Sequence, residues 1–164
     1  MDKAEFERIK KVTEQQEKVL VFEHFSNKDA LTLGSFLTSR VYDQGLELAI
    51  AIRRINGAIL YQHMTDGTSL NNQNWMERKF HTVSMMERSS LGSWAVSNLT
   101  GETLPVHGLS ESTYVFCGGG FPIRLATGEV VAILTVSNLP HMEDHQFIVK
   151  ALSEWLGKKD VELL

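Results

Sequence analysis

Three consecutive glycines in the last third of the chain constrain its fold more than any other segment. Gly118, Gly119 and Gly120 precede Phe121-Pro122-Ile123, and an apolar, β-branched run follows at residues 129–136. A phosphate-binding glycine loop normally opens a helix, whereas a strand pattern follows these glycines. The run therefore predicts a bend or a close backbone crossing at a strand start, with strands over residues 121–125 and 129–136 joined through Thr127-Gly128.

The other segments predict both helices and strands. Apolar spacing predicts helices over residues 3–18, from a cap at Ser26 or Asn27 to Gly45, over 71–98 and from Pro140 onward, and a break at Ser89-Ser90 or Gly92 would divide the third of these. Strand-like runs occupy residues 19–22, 46–53, 58–63 and 113–116, and Asn56-Gly57 is a hairpin signal. Because tight hairpins join antiparallel neighbours, we expect an α+β fold with a mainly antiparallel sheet.

Length and composition exclude several classes of protein. The 164 residues suit a single domain spanning 1–164, and a net charge of −4 offers no basic surface for DNA or RNA. The longest apolar run, around residues 130–134, is far shorter than the roughly 20 residues that cross a bilayer, so no membrane partner is expected. The charged N-terminus lacks the apolar core of a secretory signal, and the single Cys117 suits a reducing compartment, which together predict a cytoplasmic location.

Several short motifs match one known family. They are Gly118-Gly119-Gly120-Phe121-Pro122-Ile123, Gly128-Glu129-Val130-Val131-Ala132, Val136-Ser137-Asn138-Leu139-Pro140 and Asp144-His145, with Trp75-Met76-Glu77-Arg78-Lys79 and Ser89-Ser90 before them. Together these motifs resemble the GlcG/HbpS-like family, also called the haem-degrading domain family, and within it the uncharacterised cytoplasmic branch. The resemblance extends over nearly the whole chain.

The resemblance implies a fold, an assembly and a range of ligands. It implies a profilin-like, five-stranded, mainly antiparallel sheet flanked by helices, and a homo-oligomer. Relatives are associated with haem binding, with an accessory role beside glycolate oxidation, and with the C-terminal part of a corrinoid adenosyltransferase. The family offers no shared catalytic residues to carry over, and Asn138 stands where many relatives have Gly. A ligand-binding role is therefore not transferred to this turn.

Two histidines in the last predicted helix are candidates for a metal site. His141 and His145 are four residues apart, so both imidazoles project from the same side of a helix. Met142 stands where a metalloprotease motif requires its glutamate, which excludes that class. A metal would need a third ligand, and the candidates are His63, His81 and His107. The alternative is an ordinary surface pair, with Glu143 and Asp144 complementing the helix dipole.

Asp144 is predicted to be a buried acid. The helical wheel places it in line with Ile148, Ala151 and Trp155, on the apolar stripe of the helix. An isolated buried charge is very costly, so this carboxylate must be paired or hydrogen-bonded. Two solutions are capping of the preceding turn at Ser137-Asn138 or pairing with a base, for which the candidates are Arg78 and Arg124. A third interpretation makes Asp144 the carboxylate of a binding pocket.

Haem and thiol chemistry each have one candidate set. Haem needs an axial ligand, an apolar slot and basic residues for its propionates, and Met85, Met86 and His81 near Arg78 and Lys79 could form such a slot. The simpler interpretation is a helix with one core face and one solvated face. Cys117 could act as a nucleophile with His107 as its base, although its place at the end of an apolar run favours a packing role.

Three functional hypotheses follow. The first is a small-molecule-binding module without catalysis, acting as a homo-oligomer, whose ligand is a tetrapyrrole such as haem or a similar apolar compound. Its tentative ligand-binding residues are Gly118, Gly119, Gly120, Phe121, Arg78, Asp144 and His145. The second is an oligomeric interaction protein that uses apolar residues of the first helix and of Val161, Leu163 and Leu164. The third is a metal-dependent enzyme with His141 and His145 as ligands.

Overall fold

The computed structural model describes residues 1–164, which form five α-helices and five strands. In chain order they are α1 (Lys3–Val19), β1 (Val21–Phe22), α2 (Asn27–Asp43), β2 (Ala49–Arg54), β3 (Ile59–Met64), α3 (Leu70–Met86), α4 (Ser90–Thr100), β4 (Gly120–Leu125), β5 (Val130–Ser137) and α5 (His141–Trp155). A 3₁₀ turn at Leu104–His107 lies between α4 and β4. This content confirms the α+β prediction.

The strands form one mixed sheet in the order β1-β4-β5-β2-β3. Strand β2 pairs antiparallel with β3 and with β5, and β4 pairs antiparallel with β5. The short β1 joins β4 in parallel at the edge, with Val21 opposite Arg124. Both predicted hairpins are present, with Gly57 and Gly128 at positive φ in their turns. The sheet is therefore mainly antiparallel, and the long strand β5 lies at its centre.

Helices cover both faces of this sheet. Alternate residues of β2 point to opposite faces, as strand geometry requires. Ile50 and Ile52 enter the main core beneath α2 and α5, whereas Ala49 and Ala51 pack against Met76 of α3 on the other face. The small alanine side chains let α3 lie close to the sheet. The start of α3 and the start of α5 consequently approach the end of β5 from opposite sides.

The first and fourth helices pack on each other outside these layers, where Ile9 contacts Leu91 and Ala95. The helical segment is interrupted between α3 and α4, and Ser89 is the N-cap of α4, which confirms the predicted break. The Ser89 hydroxyl accepts the backbone N–H of Gly92 at 3.1 Å, a typical helix N-cap. The Glu17 carboxylate of α1 accepts the Ser89 N–H at 2.8 Å, and burial raises the pKa of this acid.

The strand predicted over residues 113–116 is wrong. No strand forms there: the N–H groups of Thr113 and Tyr114 donate to the carbonyl of Ser110 in a turn, and the side chain of Thr82 occupies both backbone groups of Val115. The Thr82 hydroxyl accepts the N–H of Val115 at 2.9 Å and donates to its carbonyl at 2.8 Å. The segment is therefore bonded to α3 through Val115, and the fifth strand of the sheet is the two-residue β1.

Candidate functional site

A cavity of about 370 Å³ lies between the start of α3 and the start of α5, at the end of β5. Its walls are Asn71, Asn72, Trp75 and Lys79 of α3, Ser137, Asn138 and Leu139 at the end of β5, His141 and Asp144 of α5, and Cys117. A volume of this size suits a small metabolite. Seven of the ten lining residues are polar, but most of the surface that they expose to the cavity is apolar.

A buried ion pair forms one wall of the cavity. The Lys79 ammonium lies 2.7 Å from Oδ2 of Asp144, and the two side chains are only 3% and 2% exposed. Lys79 also donates to the carbonyl of Val136 at 2.8 Å, and Oδ1 of Asp144 accepts the N–H of Leu139 at 3.1 Å. Burial raises the pKa of Asp144 to about 6, against the opposing effect of the Lys79 charge.

The predicted burial of Asp144 and its cap on the preceding turn are confirmed, but both predicted bases are wrong. Arg78 lies over the ring of Trp75, 4.6 Å from its centroid, and Arg124 donates to the carbonyl of Gly128. Lys79 takes their place because it lies on the buried stripe of α3. Trp155, predicted on the buried stripe of α5, is 38% exposed at the end of that helix.

The glycine run is required because helix residues press against its backbone. A Cβ on Gly118 would lie 2.1 Å from the carbonyl oxygen of His141. A Cβ on Gly119 would lie 2.5 Å from Nζ of Lys79, and φ of +109° at this residue also favours glycine. The structure thus shows the close backbone crossing that the sequence predicts. The run forms the floor behind Lys79 and Asp144, and its own atoms do not line the cavity.

His141 faces the cavity with one nitrogen already occupied. The backbone N–H of Gly118 donates to Nδ1 of His141 at 3.2 Å. A backbone amide can only donate, so Nδ1 holds the lone pair and Nε2 carries the proton of the neutral ring. Partial burial and the nearby Lys79 charge lower the pKa of His141, which favours this neutral form. The ring packs edge-on against Trp94, with centroids 4.8 Å apart.

His145 is fully buried and lies behind the cavity. Its Nε2 is 2.8 Å from Oε1 of Gln16, whose amide nitrogen donates to the carbonyl of Glu162 at 2.7 Å. That second bond sets the orientation of the amide, so Nε2 of His145 is the donor and Nδ1 is a buried nitrogen without a partner. Burial lowers the pKa of His145 to about 3, and the ring is neutral at physiological pH.

The remaining predicted residues lie in different surroundings. Phe121 is fully buried in the main core, where its ring packs near His145. Met85 is 53% exposed, whereas His81 packs against Tyr114 and Phe80. These side chains do not line the cavity, and they do not form the haem slot considered for α3.

Cys117 lines the cavity, but its thiol is not activated. Burial raises the pKa of the Cys117 thiol above its ordinary value, which favours the protonated form. No side chain donates to or accepts from it. The candidate base, His107, instead lies 3.6 Å from a carboxylate oxygen of Glu102 and packs against Phe116. Cys117 and His107 therefore do not form a nucleophile with its general base.

The sequence analysis gave no site role to Asn71, Asn72, Trp75 or Leu139, and it considered Lys79 only as a basic residue near a haem slot. A signal for Lys79 was present, because it lies three residues after Met76 and four before Val83, on the apolar stripe of α3. A lysine on such a stripe needs a buried anion, and Asp144 is the matching acid in α5. No group of three or more His, Cys, Asp or Glu side chains is arranged to hold a metal ion, and no helix is long and apolar enough to cross a membrane.

The sheet order and the helices on both faces define an α+β protein, with a ligand-sized cavity at the end of β5. Residues 25–153 match the family described as haem degrading protein HbpS-like, and the chain belongs to this HbpS-like family. It is 32% identical to a UPF0303 protein of Brucella anthropi, over 91% of this chain and 88% of the relative. It is 38% identical to a UPF0303 protein of Paraburkholderia phymatum, over 87% and 86% of the two chains.

Solved structures share this fold. The Ybr137w protein superposes with a TM-score of 0.82 at 26% identity, over 96% of both chains. HbpS superposes with a TM-score of 0.64 at 23% identity, over 82% of this chain and 91% of HbpS. PduOC, solved in complex with haem, gives a TM-score of 0.64 at 16% identity, over 79% and 93% of the two chains.

Proposed function

We propose that this protein is a small-molecule-binding module whose ligand occupies the cavity between α3 and α5. The observation that carries the proposal is the Lys79–Asp144 ion pair, buried in the wall of a cavity of about 370 Å³. Removing two charges from water costs several kcal/mol per ion, and an apolar pair of similar size would often be more stable. A binding role accounts for charged groups at a place where stability alone does not favour them.

The state of the surrounding groups supports binding without catalysis. Covalent catalysis needs a nucleophile activated by an adjacent base. The pKa of the Cys117 thiol is raised, which disfavours the nucleophilic thiolate. Nδ1 carries the only free lone pair of the His141 ring, and it already accepts the N–H of Gly118. The carboxylate of Asp144 is bonded through both oxygens. These groups are committed to holding the cavity in shape.

Haem is the ligand that the family suggests, and the residues around this cavity do not fit it. Haem iron needs a side-chain lone pair as an axial ligand. Nε2 of His141 carries a proton when Nδ1 accepts from Gly118, and His145 is fully buried behind the wall. The tetrapyrrole hypothesis thus rests on family membership and on the likeness to PduOC, and the cavity of about 370 Å³ favours a smaller molecule.

The test is a ligand titration followed at the cavity itself. Amide spectra of ¹⁵N-labelled protein would be recorded with haem and with a panel of small polar metabolites. We expect saturable shifts at cavity residues with at least one polar compound, weakened in Trp75→Ala. The matched control is Trp155→Ala, which removes the same side chain at the far end of α5, outside the cavity. Saturable shifts with no compound, or equal effects of the two variants, would refute the proposal.

The second candidate function is an oligomeric interaction protein. Fewer residues of the C-terminal segment are available for contacts with a partner than the sequence suggests. Val161 packs on the main core and Leu164 on the α1–α4 contact, while Leu163 is 42% exposed. Most apolar residues of the C-terminal segment 161–164 therefore pack against their own chain. The homo-oligomer itself stays a prediction, which light scattering at several concentrations would test. A mass equal to one chain at every concentration would count against it.

A further inference from the structure

The buried side-chain acceptors in the cavity wall are already satisfied. Oδ2 of Asp144 accepts from Lys79, and Oδ1 accepts from the N–H of Leu139. The side-chain oxygen of Asn138 accepts from Asn72 at 3.2 Å. The same amide of Asn72 lies 3.4 Å from the hydroxyl oxygen of Ser137. A ligand that offered only donors would find few free partners here.

Several donors in the same wall remain free. The Lys79 ammonium has three N–H groups, and two of them are used by Val136 and Asp144. The Nε2–H of His141 makes no hydrogen bond within the chain, since only Nδ1 of that ring is bonded. The exposed side chain of Asn71 adds a free amide at the mouth, whose nitrogen can donate and whose oxygen can accept. Helix α5 also begins here without a side-chain cap on its first N–H groups. The free groups are thus predominantly donors.

Charge limits what these donors accept. Lys79 is the only cationic side chain in the lining, and Asp144 already balances it. A dianion such as phosphate would lie near the Asp144 carboxylate with a single cation between them. A monoanion needs less compensation, and a carboxylate accepts two hydrogen bonds in one plane. The apolar surface available to the rest of the ligand comes from Trp75 and Leu139.

We propose that the cavity binds small monocarboxylic acids with a flat apolar body, held by Lys79 and by the Nε2–H of His141. This inference rests on the proposed function and names its ligand class. The carboxylate accepts the third N–H of Lys79, and the body of the ligand lies against Trp75. The buried ion pair then serves to fix the ammonium group towards the cavity.

The probes are benzoate and benzamide, which have the same shape and differ in charge. We expect benzoate to bind at the cavity about tenfold more tightly than benzamide, because a charge-assisted hydrogen bond is stronger than a neutral one. Calorimetry gives the affinities, and amide shifts at cavity residues show where each probe binds. Inorganic phosphate is the third probe, and we expect it to bind more weakly than benzoate.

Two variants test the assignment of the carboxylate to Lys79. Lys79→Met combined with Asp144→Asn removes both charges and leaves no buried ion unpaired, so the fold should persist. We expect it to lower benzoate affinity about tenfold and to leave benzamide unchanged. Asn71→Asp adds a negative charge at the mouth and should weaken benzoate about threefold. Asn74→Asp, the same change on the same helix outside the cavity, should have less than half that effect.

The outcomes separate this inference from the proposed function. If benzamide or another neutral compound binds at the cavity and benzoate does not, the carboxylate class is wrong and the binding function stands. If phosphate binds more tightly than benzoate, the argument from charge is wrong. If the double variant binds benzoate as well as the natural sequence does, the role of Lys79 is wrong. If no compound of either panel binds, both proposals are wrong.

Discussion

His145 and Asp144 should change the stability of this protein with pH in opposite directions. Burial lowers the pKa of His145 from 6.5 to about 3, so the unfolded chain gains a proton below pH 6.5 that the native protein does not bind. Acidification therefore favours unfolding at this site. Burial raises the pKa of Asp144 from 3.8 to about 6, so the native protein gains a proton between these values before the unfolded chain does. Acidification therefore favours the native state at that site.

The two effects partly cancel in the natural sequence. At 1.36 kcal/mol per pH unit, the His145 linkage should cost about 2 kcal/mol between pH 7.5 and pH 5. The Asp144 linkage should contribute about 1 kcal/mol of stability over the same interval. His145→Gln removes the first effect and keeps an amide N–H near Gln16. The variant should therefore gain about 2 kcal/mol relative to the natural sequence on going from pH 7.5 to pH 5.

Urea unfolding followed by tryptophan fluorescence at the two pH values measures this difference. All other titrating groups are common to both proteins, so they cancel in the comparison. Equal slopes against urea would show that the change lies in stability and not in the compactness of the unfolded chain. Lys79→Met combined with Asp144→Asn is the opposite control, because it removes the Asp144 linkage without leaving Lys79 unpaired and should lose about 1 kcal/mol relative to the natural sequence over the same interval. A His145→Gln profile parallel to that of the natural sequence would refute the reasoning.

Three further outcomes follow from the geometry around the cavity. Asn138 holds φ of +145° with two side-chain hydrogen bonds, so Asn138→Ala should cost about 2 kcal/mol in urea unfolding, and Asn138→Gly should cost less because it relieves the backbone. Gly118→Ala should cost more than about 2 kcal/mol, since its methyl group would meet the carbonyl of His141, and a neutral effect would contradict the close crossing. Gln16→Ala should speed amide hydrogen exchange over residues 158–164, and unchanged exchange would show that this amide does not hold the tail.

Local signals in the sequence predict much of this fold. Asn56-Gly57 and Thr127-Gly128 predict two turns because only residues that tolerate positive φ suit them. Ser89 predicts the break before α4 because its hydroxyl can cap the helix. Residues 113–116 mislead because a β-branched and aromatic run favours a strand, while the competing hydrogen bonds come from Thr82, about thirty residues earlier. Such a partner is invisible to a local pattern.

The candidate site is harder to predict because its elements are distant in sequence. Lys79 and Asp144 are 65 residues apart, and only the packing of α3 and α5 on the sheet brings them together. The buried position of Asp144 follows from its place on an apolar stripe, and the same argument applies to Lys79. The identity of the partner depends on the sheet order, which the sequence does not show. To predict this site, the polar residues on the apolar stripe of α3 must be matched with those on the apolar stripe of α5.

The sheet order also determines when the domain can assemble during synthesis. The central pairing aligns Ala49 of β2 with Ser137 of β5, and the edge pairing aligns Val21 with Arg124. Each contact closes a loop of about ninety or one hundred residues, which is slow because the chain loses much entropy before it gains packing. A nascent chain emerging from the ribosome therefore exposes apolar β2 until β5 has been made. Chaperone contact should accordingly be greatest before residue 137 leaves the exit tunnel, and should fall once the centre of the sheet has formed.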